Sequence, residues 1–568
     1  MEAALMSTSA TLKSAPKSTP ETQPARYDAI VVGAGVGGLY ALHRLRDELG
    51  LKTLVIEAAD GVGGTWYWNR YPGCRCDVES LEYSYSFDPK LEQDWSWPER
   101  YGNQGEILDY VNHVADRFDL RRDIAFDTRI ATARFDRGGA IWTLTATDGR
   151  RFEAPICIMA TGNLSVPRLP DIPGRDDFKG ATYHTGLWPH DGVDFTGKRV
   201  AVVGTGSSGV QSIPIIAKQA KSLTVFQRTA NYILPAGNGP MDRTKEAQHK
   251  AEYRERRAAA WETPFGIGGF PPPVKSALEA TPEERQAQYE AKWQEGGSIS
   301  FLYSYTDLLT NDDANATARE FVHAKIRGIV DDAETAEWLV PNDHPIGTKR
   351  LVLDTGYYET YNRANVRLVN ARQTPIEKIT PAGIQTTAES FEFDAIVFAT
   401  GFDAMTGALK EIDVRSSDGR SLTEDWTAGP YTMLGIMCAG FPNMFMVTGP
   451  GSPGVKSQMI LSCEQHVDWI TDLVGHMRQT GQATVEPTDA AQTDWTMHVK
   501  EVADRTLYPK AASWYMGANI PGKPRVFMPY VGGVDRYKAK CDAVAAAGYE
   551  GFVFTAAETP ALAQAGED

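Results

Sequence analysis

Residues 27–57 read YDAIVVGAGVGGLYALHRLRDELGLKTLVIE: an apolar run, a glycine cluster, a helical pattern and a second apolar run closed by an acid. Tyr27–Val32 has the composition of a buried strand, Leu39–Leu49 carries helical spacing, and Leu51–Ile56 is the next strand. The turn between strand and helix, Gly33-Ala-Gly35-Val-Gly37-Gly38, is a dinucleotide-binding fingerprint. Gly33 permits the tight turn, Gly35 lets backbone N–H groups approach a pyrophosphate, and Gly38 lets helix and strand pack closely. Glu57 stands nineteen residues beyond Gly38, where a carboxylate accepts hydrogen bonds from a ribose. A lone G-x-G-x-x-G is weak, but strand, helix and acid in register make it specific.

The plan recurs. Arg199–Val203 is a strand, Gly204-Thr205-Gly206-Ser207-Ser208-Gly209-Val210-Gln211 a second glycine turn, and Leu223–Phe226 the following strand. At the offset that Glu57 occupies in the first unit stands Arg228, followed by Thr229. A guanidinium suits a 2′-phosphate through forked, charge-assisted bonds. The first site is therefore expected to hold FAD and the second NADPH rather than NADH. Each unit also has a later apolar strand ending in Ala-Thr-Gly: Ile156–Met159 before residues 160–162, and Phe391–Phe398 before residues 399–401. This duplication predicts an α/β, two-dinucleotide-binding (tandem Rossmann-like) flavoprotein. Alternation over 131–153, with Gly138-Gly139 and Asp148-Gly149 as turns, adds a β-meander.

Two further stretches carry chemistry. Gly63-Gly64-Thr65-Trp66-Tyr67-Trp68-Asn-Arg-Tyr71-Pro-Gly73-Cys74-Arg75-Cys76-Asp77 offers glycines for close approach to a flavin and aromatics to cover it. Between the two glycine turns, FKGATYHTGLWP (178–189) fits F-x-G-x-x-x-H-x-x-x-W-P at Phe178, Gly180, His184, Trp188 and Pro189. That pattern resembles the signature of the type I Baeyer–Villiger monooxygenases, and the 63–77 stretch is similar to their longer glycine–tryptophan motif at every specified position. The likeness covers roughly residues 27–555. It looks closest to the phenylacetone and steroid ketone branch, on GTGSSGVQSIP, FQRTANY and SWYMGANIPGKPRVFMPYVGG.

The resemblance implies an FAD-containing, NADPH- and dioxygen-dependent enzyme. Such enzymes turn ketones into esters or lactones through a flavin C4a-peroxide and a Criegee intermediate, and the same chemistry extends to sulfides. An anionic peroxide needs a fixed cation and protection from water. Gly347-Thr-Lys349-Arg350 supplies the candidate. Neighbours in an extended segment point to opposite sides, so Lys349 can face the 2′-phosphate while Arg350 faces the flavin. The resemblance gives Arg350 the stabilising role and Asp77 that of its carboxylate partner; a lone buried charge needs one. It also assigns Gly64, Thr65, Trp66, Tyr67, Trp68, Cys76, Asp77, Tyr83, Ile130 and Met459 to FAD, and Arg75, Thr205–Gln211, Arg228, Thr229, Lys349 and Trp514 to NADP. His184 falls to domain coupling rather than acid–base work. One departure stands out: after Gly-Pro-Gly-Ser-Pro the loop reads Gly454-Val455-Lys456, where the family carries small polar and apolar residues.

Composition bounds the rest. The 568-residue chain has a net charge of −16, which argues against nucleic acid and anionic membrane surfaces as partners. The expected partners are a small ketone and dioxygen, with the protein a monomer or weak homo-oligomer. The apolar run Tyr431–Gly449 is broken by Pro442, Asn443 and glycines, and reads as strand, turn, strand in a core rather than a membrane span. Six irregularly spaced cysteines form neither a disulfide framework nor a zinc set, no metal is expected, and a reducing cytoplasm is the simplest compartment. The expected layout is a disordered tail (1–26), an FAD domain (27–165 and 391–568), an NADP domain (166–239 and 346–390) and a helical insertion (240–345). Asp242–Ala260 and Pro282–Glu295 are the clearest helices of that insertion.

Three rivals remain. A flavin N- or S-oxygenase shares fold and cofactors but usually lacks the 178–189 pattern and an arginine like Arg350. A disulfide reductase needs a wider cysteine pair than Cys74 and Cys76. A non-catalytic flavin sensor has no need of Arg350.

Overall fold

A computed structural model of the chain describes residues 24–556. Its centre is a pair of five-stranded parallel sheets with the same strand plan. In the first, Ala29–Val32 pairs with Thr53–Ile56 on one side and Ile156–Met159 on the other, in register from Ala29↔Thr53 and Ala29↔Ile156. Ile124–Ala125 and Met444–Met446 complete its edges. In the second, Arg199–Val203 lies between Ser222–Gln227 and Ala395–Phe398. Val366–Asn370 and Ala181–His184 are the edges there. The central strands are buried on both faces, which is why they read as unbroken Val, Ile and Ala.

The two glycine turns match in backbone detail. Gly33 and Gly204 sit at φ +107° and +109°, a left-handed region that only glycine enters at low cost. A Cβ on either would also come within 2.5 Å of the carbonyl oxygen of the Ala-Thr-Gly strand, Ala160 and Ala399 respectively. The duplication read from the sequence thus extends to contacts between distant segments.

The meander expected over 131–153 is present as Ile130–Asp136, Ile141–Ala146 and Arg151–Ala154, all antiparallel. A second three-stranded meander, Ile376–Thr380, Gly383–Thr386 and Ser390–Glu392, flanks the other unit. The 240–345 stretch is built of helices, and the parallel pair Ile233–Pro235 with Val352–Asp354 ties its entry to its exit.

Several expectations need correction. The chain was expected to return to the first unit at 391, but Ala395–Phe398 is a core strand of the second sheet, so the return follows the Ala-Thr-Gly turn. Of the tail 1–26, residues 1–23 lie outside the described residues. Ala25–Arg26 is not free chain but a strand parallel to Arg151–Ala154. The helix read over Asp242–Ala260 is two, Arg243–Ala251 and Tyr253–Ala260, broken at Glu252 (φ −106°, ψ 9°). Tyr431–Gly449 contains one strand, Met444–Met446, not two. The residues before it turn repeatedly, with Leu434 and Asn443 at φ +58°. Among the described residues no helix is long and apolar enough to cross a membrane.

Candidate active site

Both glycine helices begin with a bare N-terminus. Gly35 caps Val36–His43 at φ −77°, ψ −174°, and Gly206 caps Ser207–Gln219 at φ −78°, ψ −171°. Neither has a side-chain cap, and neither first turn carries an acid. The leading N–H groups of each helix are thus left for an anion. A Cβ on Gly206 would meet nothing within 4 Å, so the space above that helix is open. These turns fit dinucleotide pyrophosphates.

Around the first turn, Glu57 is buried and accepts from the N–H groups of Ala34 (2.6 Å) and Ala59 (2.8 Å). Burial pushes its carboxyl up, while those two donors pull it back. Pinned this way, the carboxylate keeps lone pairs for a ribose. Gly64 (φ +52°) starts the short helix Thr65–Trp68 and approaches the backbone of Gly35. Trp66 is buried and donates from Nε1 to the Tyr83 hydroxyl (3.1 Å). Tyr67 bonds Asp60 and stacks edge-on against Trp68. Cys76 is buried and accepts weakly from the Val78 N–H. Ile130 packs in the core between the first sheet and the meander, two residues past Thr128, whose N–H reaches the Glu57 carbonyl. Met459 opens the long helix Met459–Thr480.

Around the second turn, Thr205 Oγ1 donates to the Thr229 carbonyl at 3.0 Å, fixing the turn that presents exposed Arg228. Lys349 lies 3.9 Å from Asp343, which also pairs with Arg372 at 2.9 Å. Burial pushes the Lys349 amine down, with Asp343 pulling it up and the positive charges of Arg228 and Arg372 pushing it further down. Three cations therefore converge where a 2′-phosphate is expected. Arg75 is turned elsewhere: its guanidinium pairs with Glu99 at 2.7 Å, and its carbonyl accepts from Gln211 Nε2 at 3.1 Å. Gln211 Oε1 in turn accepts from the Tyr71 hydroxyl at 2.8 Å. Trp514 is half-buried, its ring centre 4.2 Å from that of Tyr515.

The linker motif is a strand. Ala181–His184 pairs parallel with Ala395–Phe398 at the edge of the second sheet, with His184 opposite Phe398. His184 is 4% exposed, and its Nδ1 accepts from the Gly186 N–H at 3.0 Å, closing a tight turn. Burial pushes its imidazole down, towards the neutral form. Phe178 fills the space beside Gly180, and Trp188 packs against Tyr183 and Phe195. The next residue, Thr185, was not singled out in the sequence. Its hydroxyl lies 3.0 Å from that of Ser208 in the second glycine turn. It falls at an unspecified position of the motif, so no residue-type signal marked it.

Between the two turns Arg350 meets Asp77. Nε and Nη2 donate to the two carboxylate oxygens at 2.7 and 2.6 Å, and Nη1 donates to the Val455 carbonyl. The side chains are 31% and 22% exposed. Burial pushes the Asp77 carboxyl up, and the Arg350 charge more than offsets it, so the group ends below its ordinary value. Burial likewise pulls the Arg350 guanidinium down, and Asp77 more than restores it. The pair stays ionised. A guanidinium has five N–H donors, so three bonds do not exhaust it, and the Tyr515 hydroxyl lies beside the same group. Lys349 and Arg350 turn to different carboxylates, Asp343 and Asp77 respectively, and their segment is a loop, not the extended stretch expected.

Residues 27–239 match the family model described as flavin-binding monooxygenase-like. The chain is 42% identical over 535 residues to a Baeyer–Villiger monooxygenase of Pseudooceanicola batsensis, covering 94% of this chain and 97% of that protein. The chain belongs to the Baeyer–Villiger monooxygenase family. Its fold agrees with a solved steroid monooxygenase bound to NADP, at a TM-score of 0.89 and 52% identity, covering 94% of this chain and all of the other. Within the relatives of this Baeyer–Villiger monooxygenase stands a phenazine N-monooxygenase of Lysobacter antibioticus, 43% identical over 93% of this chain and 97% of its own length. Overall identity therefore does not separate insertion of oxygen into a carbon–carbon bond from N-oxygenation.

Proposed function

We propose that the protein inserts one oxygen atom of O2 beside the carbonyl of a ketone, giving an ester or lactone, with FAD in the first glycine turn and NADPH in the second. The observation that supports this reading is the doubly bonded Arg350–Asp77 pair, which joins a residue after the second glycine turn to one after the first. Bound flavin, reduced by NADPH, supplies the activated dioxygen. The chain's own residues do the rest. Glu57 receives the ribose of one nucleotide; Arg228 and Lys349 receive the 2′-phosphate of the other. Arg350 holds a permanent positive charge, with N–H capacity beyond the bonds to Asp77 and Val455, for an oxygen that gains negative charge as the carbonyl is attacked. Asp77 fixes the plane of that guanidinium and keeps it protonated. The apolar wall of Val455, Met459, Trp514 and Phe527 excludes water.

Arg350→Ala tests this. The variant is expected to stay yellow and to be reduced by NADPH, yet to form no ester from a ketone; normal ester yield would refute the assignment. A second reading, oxygenation of an aromatic ring nitrogen, is favoured by the named phenazine relative. Parallel incubation with phenazine and with phenylacetone, followed by product analysis, decides between them. We further infer a cytoplasmic enzyme acting as a monomer or weak homo-oligomer; its few, irregularly spaced cysteines are consistent with that compartment.

A further inference from the structure

Lys456 closes the tight turn Gly454–Lys456, directly after the residue whose carbonyl accepts from Arg350. Its ammonium stands over two tyrosine rings, 4.4 Å from the centre of Tyr508 and 4.8 Å from that of Tyr515. Both tyrosines are buried. Among the described residues no carboxylate lies within ion-pair distance of it. The acid it feels is Asp77, whose two oxygens are already taken by Arg350. The pocket thus holds two cations and one anion. The Tyr515 hydroxyl, also buried here, faces the Arg350 guanidinium.

A cation over aromatic faces gains some of what it loses on leaving water, but not all of it. The shortfall is visible: burial pushes the Lys456 amine down to about 7, the Arg350 charge adds to the fall, and Asp77 opposes it. Leucine or methionine would fill the same space among Val455, Tyr508, Tyr515 and Met528 without that cost. The missing component is a counter-charge from outside the chain. One surplus positive charge, with apolar ring walls on two sides, matches a monoanion attached to an organic skeleton. A phosphate dianion would overbalance it.

We propose that Lys456 is a specificity-determining residue that pairs with a carboxylate on the substrate, so that this enzyme prefers keto acids to neutral ketones of the same skeleton. The proposal rests on the reading of Arg350 and Asp77 as the site that receives the carbonyl, and narrows it. The ammonium and the guanidinium adjoin the same short segment, so the carboxylate and the carbonyl belong a few bonds apart.

The test compares β-benzoylpropionate with its methyl ester on the oxidised holoenzyme loaded with NADP⁺, with Kd read from the perturbation of flavin absorbance. Wild type is expected to bind the acid about tenfold or more tightly than Lys456→Met does, with ester binding equal in the two proteins. Lys456→Arg keeps the preference. For wild type, the acid's Kd rises about tenfold per pH unit above 7 as the free amine loses its proton, while the ester's stays flat. The other groups facing the amine do not titrate there: Arg350 is held up and Asp77 down, and burial holds both tyrosines above their ordinary value. Equal binding of acid and ester, undetectable binding of the acid, or an unchanged acid Kd in Lys456→Met overturns the proposal. Turnover of the ester is measured separately. Ester oxygenation without acid preference removes only the Lys456 assignment, whereas acid preference without oxygenation of either probe removes the functional reading and leaves the anion subsite.

Discussion

Gly206 and Gly209 belong to one turn, and the structure assigns them separable duties. Gly206 has an ordinary backbone conformation, φ −78°, and a Cβ there would touch nothing within 4 Å. Gly206→Ala should therefore fold without strain and project a methyl group into the open space above the first turn of Ser207–Gln219. A pyrophosphate held by those N–H groups must back away. Loss of about two charge-assisted hydrogen bonds, at roughly 1.5–3 kcal/mol each, amounts to about 3–6 kcal/mol. That corresponds to a weakening of NADP⁺ binding by about two to four orders of magnitude. A Cβ on Gly209 instead drives into the carbonyl oxygen of Gly204, so Gly209→Ala must push the helix off its strand. The assay is a pair of measurements on each variant: thermal unfolding without coenzyme, and NADP⁺ titration of the FAD-loaded protein. Gly206→Ala is expected to melt with wild type, keep its flavin and lose coenzyme affinity. Gly209→Ala is expected to melt early whether or not coenzyme is present. A Gly206→Ala protein whose Kd for NADP⁺ moves less than about threefold would refute the placement of the pyrophosphate at this helix.

Two other outcomes follow from the charges. Arg228→Ala should raise the KM for NADPH far more than that for NADH, because Arg228 is exposed beside Lys349 and, among the described residues, has no carboxylate within ion-pair distance; equal effects on both coenzymes would remove it from the 2′-phosphate site. Glu82, 5% exposed, lies 3.6 Å from His249 and 3.9 Å from Arg256, and burial pushes its carboxyl up to about 7 against the pull of Arg257 and Arg256. A carboxyl raised on folding stabilises fully below its unfolded value of about 4.5, and that contribution is lost as pH rises to about 7. The stability of wild type relative to Glu82→Gln, followed by denaturant unfolding, should therefore fall by on the order of 3 kcal/mol at most across that window; a difference that does not change with pH would show that Glu82 is ionised throughout.

The nucleotide units were legible because their signals are local. A glycine turn, its flanking strands and the residue nineteen positions on lie within about thirty residues, and each has one physical job. Longer links were not legible from residue types. Ala181–His184 gave no sign of being a sheet edge, because its partner strand, Ala395–Phe398, arrives more than two hundred residues later. The pairing of Arg350 with Asp77 spans 273 positions and was accessible only through family resemblance. Lys456 stood out in the sequence only as a departure from the family's loop. Nothing marked Tyr508 and Tyr515, among 23 tyrosines, as the rings that would hold it. The break at Glu252 is similar: helical composition continues through it, yet past the break Arg257 reaches Glu92 at 3.0 Å and Ser84 at 2.7 Å in the first unit.

A further set of long links shares an anchor, the first turns of Ser207–Gln219. Ser208 meets Thr185 of the linker motif, and Gln211 meets both Tyr71 and the Arg75 carbonyl of the flavin motif. A Cβ on Gly73 would strike the Gln211 carbonyl, so the flavin motif presses on this helix without a side chain between them. Asp77 lies two residues beyond Arg75, and Arg350 is adjacent in sequence to Lys349 of the phosphate site. The ion pair thus joins the 63–77 stretch of the first unit to the 347–350 loop of the second, and the third bond of Arg350, to the Val455 carbonyl, returns to the first unit. An arginine carried by the chain of the second unit is therefore oriented by groups of the first, which is why neither unit's local sequence pattern could place it.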